Sequence, residues 1–362
     1  LGLLDTTFHG TGYVLGANSG FSGGTNNRFT SVAIDSEGRI VVAGYGYSSD
    51  LTSENQKAFV ARYLPSGAID QAGFHALTDI NGVAPPEGSG HSGYAISPTG
   101  GFHGGSDSDD IRDVFWAVAV NEDDEIYAAG STRHEDNDWT KALIVKYEED
   151  GRMVEDMVIS DGGAFFAGIS GNQVEVFRAL AIDSSDRVLA AGYSNDGTTY
   201  QGVIVRVLAD MSGFSTSFGT AGIMVQASGV FNAGADIDIF YSMAIDSSGG
   251  ILVGGRSDDA GTDTRALVAS YSSVGALTDN YVGPSPGFGG GNDDIIYGLV
   301  VDSTDTTTRI FAGGTSESGG GDDRALLIAL DTSLTLETDF NASSSPSGGP
   351  GYQLGGKSGA TW

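Results

Sequence analysis

The feature that most constrains this chain is an internal repeat. Five segments align along the 362 residues: FTSVAIDSEGRIVVAG from Phe29, FWAVAVNEDDEIYAAG from Phe115, FRALAIDSSDRVLAAG from Phe177, FYSMAIDSSGGILVGG from Phe240 and IYGLVVDSTDTTTRIFAGG from Ile296. After a polar loop each is followed by a third apolar run, AFVARY from Ala58, ALIVKY from Ala142, GVIVRV from Gly202, ALVASY from Ala266 and ALLIAL from Ala325. Each copy must adopt the same structure and stack on its neighbours, so the repeat decides the architecture before any motif does. The runs are rich in Val, Ile, Leu and aromatic residues and are bounded by Asp-Ser, Gly or Pro-Ser-Gly, which reads as strand. The short Asp-Ser-x-Gly link between the first two runs makes them a hairpin.

Between the turn residues Asp35, Asn121, Asp183, Asp246 and Asp302 the spacing is 86, 62, 63 and 56 residues. A Gly/Pro/Ser-rich insertion at about 80–105 accounts for the longest interval. A weaker fourth strand follows a Leu-Asp-x-x-Phe link, as in Gly12-Tyr13-Val14-Leu15, Gly93-Tyr94-Ala95-Ile96, Gly222-Ile223-Met224-Val225 and Gly351-Tyr352-Gln353-Leu354. Four antiparallel strands in each repeat of about 60 residues, five times over, predict an all-β, five-bladed β-propeller as one domain over 1–362. Its blades start near 29, 115, 177, 240 and 296. An open β-solenoid would need shorter and more uniform periods.

The residues also carry a family resemblance. Leu4-Asp5-Thr6-Thr7-Phe8-His9-Gly10-Thr11-Gly12, with the recurring Ala-Ile-Asp-Ser-x-Gly-(Arg)-Ile-x-x-Ala-Gly and Ala-Leu-x-x-x-Tyr segments, resembles the delta-60 repeat β-propellers of bacterial secreted and surface proteins. It departs from their pattern in carrying Arg39, Arg187 and Arg309 near the place where Lys is common. The resemblance spans essentially the whole chain. It implies an extracytoplasmic propeller without a shared catalytic motif.

A catalytic residue need occur only once, whereas a structural residue of a repeat recurs in every copy. By that test the turn Asp/Asn is structural, since Asx side chains bond the backbone two residues on. The columns Ser31, Ala117, Ala179, Ser242, Gly298 and Ala33, Ala119, Ala181, Ala244, Val300 hold no carboxylate. That counts against a glycosidase, whose chemistry uses a carboxylate pair. The basic residues Lys57, Lys141, Arg265 and Arg324 recur and so pair with neighbouring acids. One column does vary: Thr30, Trp116, Arg178, Tyr241, Tyr297. Trp116, Arg178, Tyr241 and Tyr297 are therefore the candidate ligand mouth, with inter-blade packing as the alternative reading.

With 17 basic against 47 acidic side chains the net charge is −30. Such a surface repels nucleic acid and anionic membranes. No cysteine is present, which excludes disulfides, zinc–thiolate sites and a thiol nucleophile. Apolar runs fall short of a membrane helix. The chain begins at Leu1 without a leader, so any signal peptide is expected to have been removed. Acidic loops offer two candidate calcium sites, Asp107 with Asp109 and Asp110, and Asp236 with Asp238. The acids nonetheless divide almost evenly between the two loop faces, which favours a plain acidic coat. Histidine pairs, Gly-x-Ser-x-Gly elbows and phosphate loops are missing.

Five sets of first to third strands stand against six fourth-strand links. The surplus strand, Tyr13-Val14-Leu15 or Tyr352-Gln353-Leu354, either caps its own blade or pairs with a neighbouring molecule. The expectation is a non-enzymatic, secreted or cell-surface assembly subunit that forms a homo-oligomer, filament or surface layer, or binds another surface protein or glycan. The alternatives are a carbohydrate- or calcium-dependent binding module and a glycoside-active propeller enzyme.

Overall fold

The computed structural model describes residues 3–15, 23–48, 56–74, 93–97, 102, 112–133, 140–154, 165–166, 174–195, 197–232, 237–258, 263–303, 308–340 and 348–355. Every regular element among them is a β-strand. They fall into two compact units, residues 1–188 with 207–213, and 189–206 with 214–362. In the first unit β1 (Gly23–Ile34), β2 (Ile40–Ser48), β3 (Gln56–Tyr63) and β4 (Tyr94–Ile96) form an antiparallel sheet in chain order. The strands β5 (Val114–Val120), β6 (Ile126–Arg133), β7 (Thr140–Tyr147) and β8 (Phe165–Phe166) repeat it, and β9 (Val174–Ile182) follows.

The second unit holds β10 (Val188–Asn195), β11 (Tyr200–Val207) and β12 (Ile223–Val225). The sheet β13 (Asp238–Ile245), β14 (Ile251–Asp258), β15 (Thr264–Tyr271) and β16 (Leu277–Val282) is again antiparallel in chain order. Last come β17 (Gly290–Asp302), β18 (Arg309–Ser318) and β19 (Asp323–Leu330), with short β20 (Gly348–Gly349) and then β21 (Tyr352–Leu354), which pairs with β19. The predicted hairpins and third strands are thus in place, as are the fourth strands at 94–96, 223–225 and 352–354 but not the one at 12–15, and the described residues are all-β.

Local chemistry sets the hairpins. Asp35 Oδ1 accepts the N–H groups of Glu37 and Arg39 at 3.1 and 2.8 Å, and Asn121, Asp183 and Asp246 do the same in their own turns. Consecutive repeats touch where a third strand begins. Gln56 pairs in parallel with Arg112 and Thr140 with Val174 in the first unit; Tyr200 pairs with Ile237 and Thr264 with Asp293 in the second. Between the sheets of the first unit Val41, Ala43 and Val60 pack on Phe115, Val118, Leu143 and Val145. The second unit packs Leu252 and Val268 with Ile296, Ile310 and Ile328 in the same way.

The Leu-Asp-x-x-Phe link has a specific job. Its phenylalanine lands on the glycine of the hairpin that follows the next third strand: Phe8 on Gly67, Phe74 on Gly151, Phe218 on Gly275. These glycines sit at φ +83°, +86° and +83°, and a Cβ at Gly151 would lie 2.8 Å from Phe74 Cζ, so both conformation and contact require glycine there. Buried Arg62 lies 5.0 Å over the Phe74 ring, pairs with Asp70 at 2.8 Å and donates to the Glu149 carbonyl at 2.6 Å. Arg206 repeats this with Phe218 at 5.0 Å and the Ser273 carbonyl at 2.6 Å.

The surplus strand is resolved by these contacts. Tyr352, Gln353 and Leu354 pair with Ile328, Leu327 and Leu326, so this strand joins its own sheet and does not leave it. The extra copy is the N-terminal link. Phe8 occupies Gly67, Val14 packs on the sheet face of Val42, Phe59 and Tyr63, and Tyr13 and Leu15 are exposed, with no ladder formed at 13–15. Most of the insertion lies outside the described residues; Phe102 within it packs on Phe115, with ring centroids 5.6 Å apart.

If Phe74 pins one repeat to the next, Phe74→Ala should lower unfolding free energy by about 3–5 kcal/mol, as for other fully buried phenylalanines. Phe340, which rests on Phe311 of its own sheet at 5.9 Å and is only partly buried, should cost less than half as much when changed to alanine. Urea denaturation of both variants compares them directly.

Candidate functional site

The varying column occupies a structural irregularity that recurs in the repeats. The first and second strands lose register between Phe29 and Ser31, Phe115 and Ala117, Phe240 and Ser242, and Ile296 and Gly298. Thr30, Trp116, Tyr241 and Tyr297 are therefore β-bulge residues, and a bulge re-aims a side chain away from the ladder. The bulge also explains the glycine that ends each second-strand motif. A Cβ at Gly44, Gly130, Gly255 or Gly314 would collide with the carbonyl oxygen of Arg28, Val114, Ile239 or Ile295 across the bulge. That recurring glycine is the sequence signal for the bulge, which strand patterning alone misses.

Members of the column meet across consecutive repeats. In the first unit Thr30 Oγ1 donates to the Phe115 carbonyl at 2.6 Å, and Arg178 lies 3.9 Å over the Trp116 ring, which also meets Tyr45 at 5.8 Å. In the second unit the Tyr241 and Tyr297 rings are 5.3 Å apart, and Tyr297 is 52% exposed. Thus each unit brings two of the four candidate mouth residues together. Arg178 covers one face of the half-buried Trp116 ring, whereas Tyr297 keeps about half its surface exposed, an aromatic face with a polar tip.

A second column went unread in the sequence. Asp113, Glu175, Asp238 and Asp294 occupy one repeat position, each directly after the residue that pairs in parallel with the previous third strand, and all are buried. The basic column begins beside that same pairing, with Lys57, Lys141, Gln201 and Arg265. Burial pushes Asp113 up to about 6, against the pull of Thr132, Ser97 and Lys57. Burial also raises Asp294, with Ser316 and Arg265 opposing it. Asp238 has Gln201 where the others have a cation; burial and the nearby Asp258 raise it to about 6, with Ser257 opposing. A carboxylate that recurs in four of five repeats and lies beneath the surface is structural.

This bears on the calcium expectation. Asp107, Asp109, Asp110 and Asp236 lie outside the described residues, and Asp238 belongs to the buried structural column. Among the described residues no group of three or more His, Asp or Glu side chains is placed to hold a metal ion. No helix among them is long and apolar enough to cross a membrane.

A sequence-family model described as a domain of unknown function (DUF5122) beta-propeller matches residues 36–72, which supports the propeller reading over the first hairpin turn and third strand. No curated protein sequence matches the chain. Among solved structures the chain is similar to Hadza microbial sialidase Hz136, at 11% identity and a TM-score of 0.49, with 85% of this chain and 57% of that one covered. It is also similar to Trypanosoma rangeli sialidase, at 11% identity and a TM-score of 0.47, covering 85% and 47%. A thermostable family-43 glycoside hydrolase matches at 11% identity and a TM-score of 0.41, covering 93% and 95%. The chain spans about half the length of the two sialidases. The expectation of a non-enzymatic assembly subunit, which rests on a surplus terminal strand, is corrected by the pairing of that strand within its own sheet.

The buried acid column carries a pH dependence. Folded Asp238 keeps its proton to about pH 6, whereas its ordinary value is 3.8, so between these the folded state binds more protons than the unfolded one. Stability contributed by this group is therefore full below pH 4 and is lost as pH rises to 6. Asp238→Asn should raise the melting temperature at pH 7.5, by the equivalent of about 1–2 kcal/mol, and flatten the pH 4–6 slope. Asp113→Asn leaves Lys57 buried without its carboxylate and should not stabilise at pH 7.5. Thermal melts of both variants across pH 4–8 distinguish the two.

Proposed function

We propose that this chain is an extracellular, carbohydrate-active β-propeller of five four-stranded blades, of the delta-60 repeat kind, with glycan contacts at Trp116 and Arg178 in the first unit and at Tyr241 and Tyr297 in the second. The observation that supports it is the bulge itself. It takes the one variable column out of the ladder in repeat after repeat and sets its aromatic and guanidinium groups side by side in neighbouring blades. Constant columns on either side pack the sheets, while the bulge position changes from repeat to repeat, as a ligand-contacting position does.

Tyr and Trp rings stack on the C–H face of a sugar, and Tyr297 and Arg178 offer polar tips for its hydroxyls. The comparison enzymes act on carbohydrate by their own descriptions, and the glycoside-active reading shares their substrate class.

Incubating the protein with a panel of neutral and acidic polysaccharides should release reducing sugar or unsaturated product from at least one. Trp116→Ala and Tyr297→Ala should then lower kcat/KM by about tenfold or more, with melting temperatures close to that of the parent. No product from any glycan, or variants as active as the parent, would overturn the reading.

A further inference from the structure

Two repeat positions are cationic in three of the five repeats each, with Glu125 at the first in the second repeat and Ala329 at the second in the fifth, and the fourth repeat has a cation at neither. Arg39 and Arg187 clamp the second oxygen of the turn acids, Nε to Oδ2 of Asp35 and Asp183 at 2.6 and 2.8 Å, and Arg309 stands at the same position of the fifth repeat. In the fourth repeat this position is Gly250. Arg62 and Arg206 reach across to the next hairpin, with Lys146 between them in the column; the fourth repeat has Ser270 there. Thr278 replaces Asp70, so the Arg62–Asp70 pair becomes Ser270 Oγ···Thr278 Oγ1 at 2.7 Å. The chain then runs directly into β16 and supplies no counterpart of Phe74.

The volume that an arginine fills elsewhere is open here. A cleft of ≈ 240 Å³ between the fourth and fifth sheets of the second unit is lined by hydroxyls of Ser248, Ser270, Thr278, Thr308 and Thr332, by Asp246, and by apolar Ile251, Val301 and Ile310. Thr332 holds the place in its hairpin that Glu149 and Ser273, the arginine acceptors, hold in theirs. Asp246 Oδ1 accepts Ser248 N, Ser248 Oγ and Gly250 N, while the guanidinium that takes Oδ2 of Asp35 and of Asp183 is replaced by glycine. Burial pushes Asp246 up, but those hydrogen bonds hold it below its ordinary value, so it is an ionised acceptor at neutral pH.

Hydroxyls that both donate and accept, beside a carboxylate and an apolar wall, match a sugar ring with its vicinal hydroxyls and C–H face. No Lys, Arg or His is among the lining residues, and the chain carries −30, so an anionic ligand would meet only repulsion. The volume equals on the order of eight waters at roughly 30 Å³ each, which suits one ring and not a long segment. We propose that this cleft binds a single neutral sugar ring of a glycan, at a site separate from the bulge residues. It rests on the cleft alone and shares only its ligand class with the function proposed above.

The test is calorimetric titration of the full chain with cellohexaose, xylohexaose and mannohexaose, and with hexagalacturonic acid as the anionic control. At least one neutral hexaose should bind, and the anionic one should not. Ser270→Arg with Thr278→Asp restores the pair the chain uses at Arg62 and Asp70; it should melt at or above the parent temperature and weaken binding at least tenfold. Thr332→Val removes one hydroxyl at nearly constant volume, should fold whatever the double variant does, and should weaken binding by about three- to tenfold. Absence of binding by every neutral hexaose, equal binding of the anionic control, or undiminished binding by Thr332→Val would overturn the proposal. Binding lost in Trp116→Ala and kept in the cleft variants would overturn it too, and would leave the carbohydrate reading of the bulge residues standing.

Discussion

Each sheet in this chain is apolar on both faces, and everything else follows from the need to cover them. A lone four-stranded sheet of this kind would expose too much apolar surface to persist in water. Within each unit the repeats meet it by docking one sheet on the next through parallel pairing where a third strand begins, interleaved aliphatic side chains and, at Phe74 and Phe218, a link phenylalanine seated on a glycine of the following hairpin. The N-terminal link obeys the same rule. It brings Phe8 and Val14 to the first sheet although no first, second or third strand precedes it in the chain.

That docking also explains where the few basic residues go. Of 17 Lys and Arg, Arg39, Lys57, Arg62 and Arg206 are buried and reach or face the neighbouring repeat rather than solvent. Guanidinium groups suit this position because one planar fork can satisfy a carboxylate, a carbonyl and a ring face together. Acids are drawn into the same interfaces, since Asp35, Asp70, Asp113, Asp124, Glu175, Asp238 and Asp294 are buried too. The −30 charge is set by composition, and with so many of its acids serving the joints between sheets it is not by itself a mark of cation binding.

Much of this was legible from residue pattern. The hairpins, their Asx turns, the third strands and the fourth-strand links follow from alternation and turn chemistry, because those depend on near neighbours in sequence. The basic column was readable as structural for the same reason that it recurs. What escaped was anything that depends on contacts between repeats. The acids at Asp113, Glu175, Asp238 and Asp294 look like scattered loop charges until the parallel pairing sets them beside the preceding strand. Asp238 is one of them, a buried side chain beside the preceding third strand. The bulge was written in the glycine of each second strand, yet a glycine in a strand does not say which neighbour it makes room for.

A repeat protein makes its sites visible in two opposite ways. At the bulge, a position common to the repeats is held open by an invariant glycine, and its occupant changes from threonine to tryptophan, arginine and tyrosine. In the fourth repeat, the occupant vanishes: arginine becomes serine at 270 and glycine at 250, and the volume goes unfilled. Loss of a buried, multiply bonded arginine gives up interface energy that its counterparts supply, since it removes an ion pair, carbonyl contacts and a ring contact at once. Such a loss is tolerated where the remaining interface is sufficient, and here Leu252, Val268, Ile296, Ile310 and Ile328 close the apolar layer beside it. The cleft therefore sits on a complete core, which is the condition for a site that can exchange water for ligand without loosening the sheets around it.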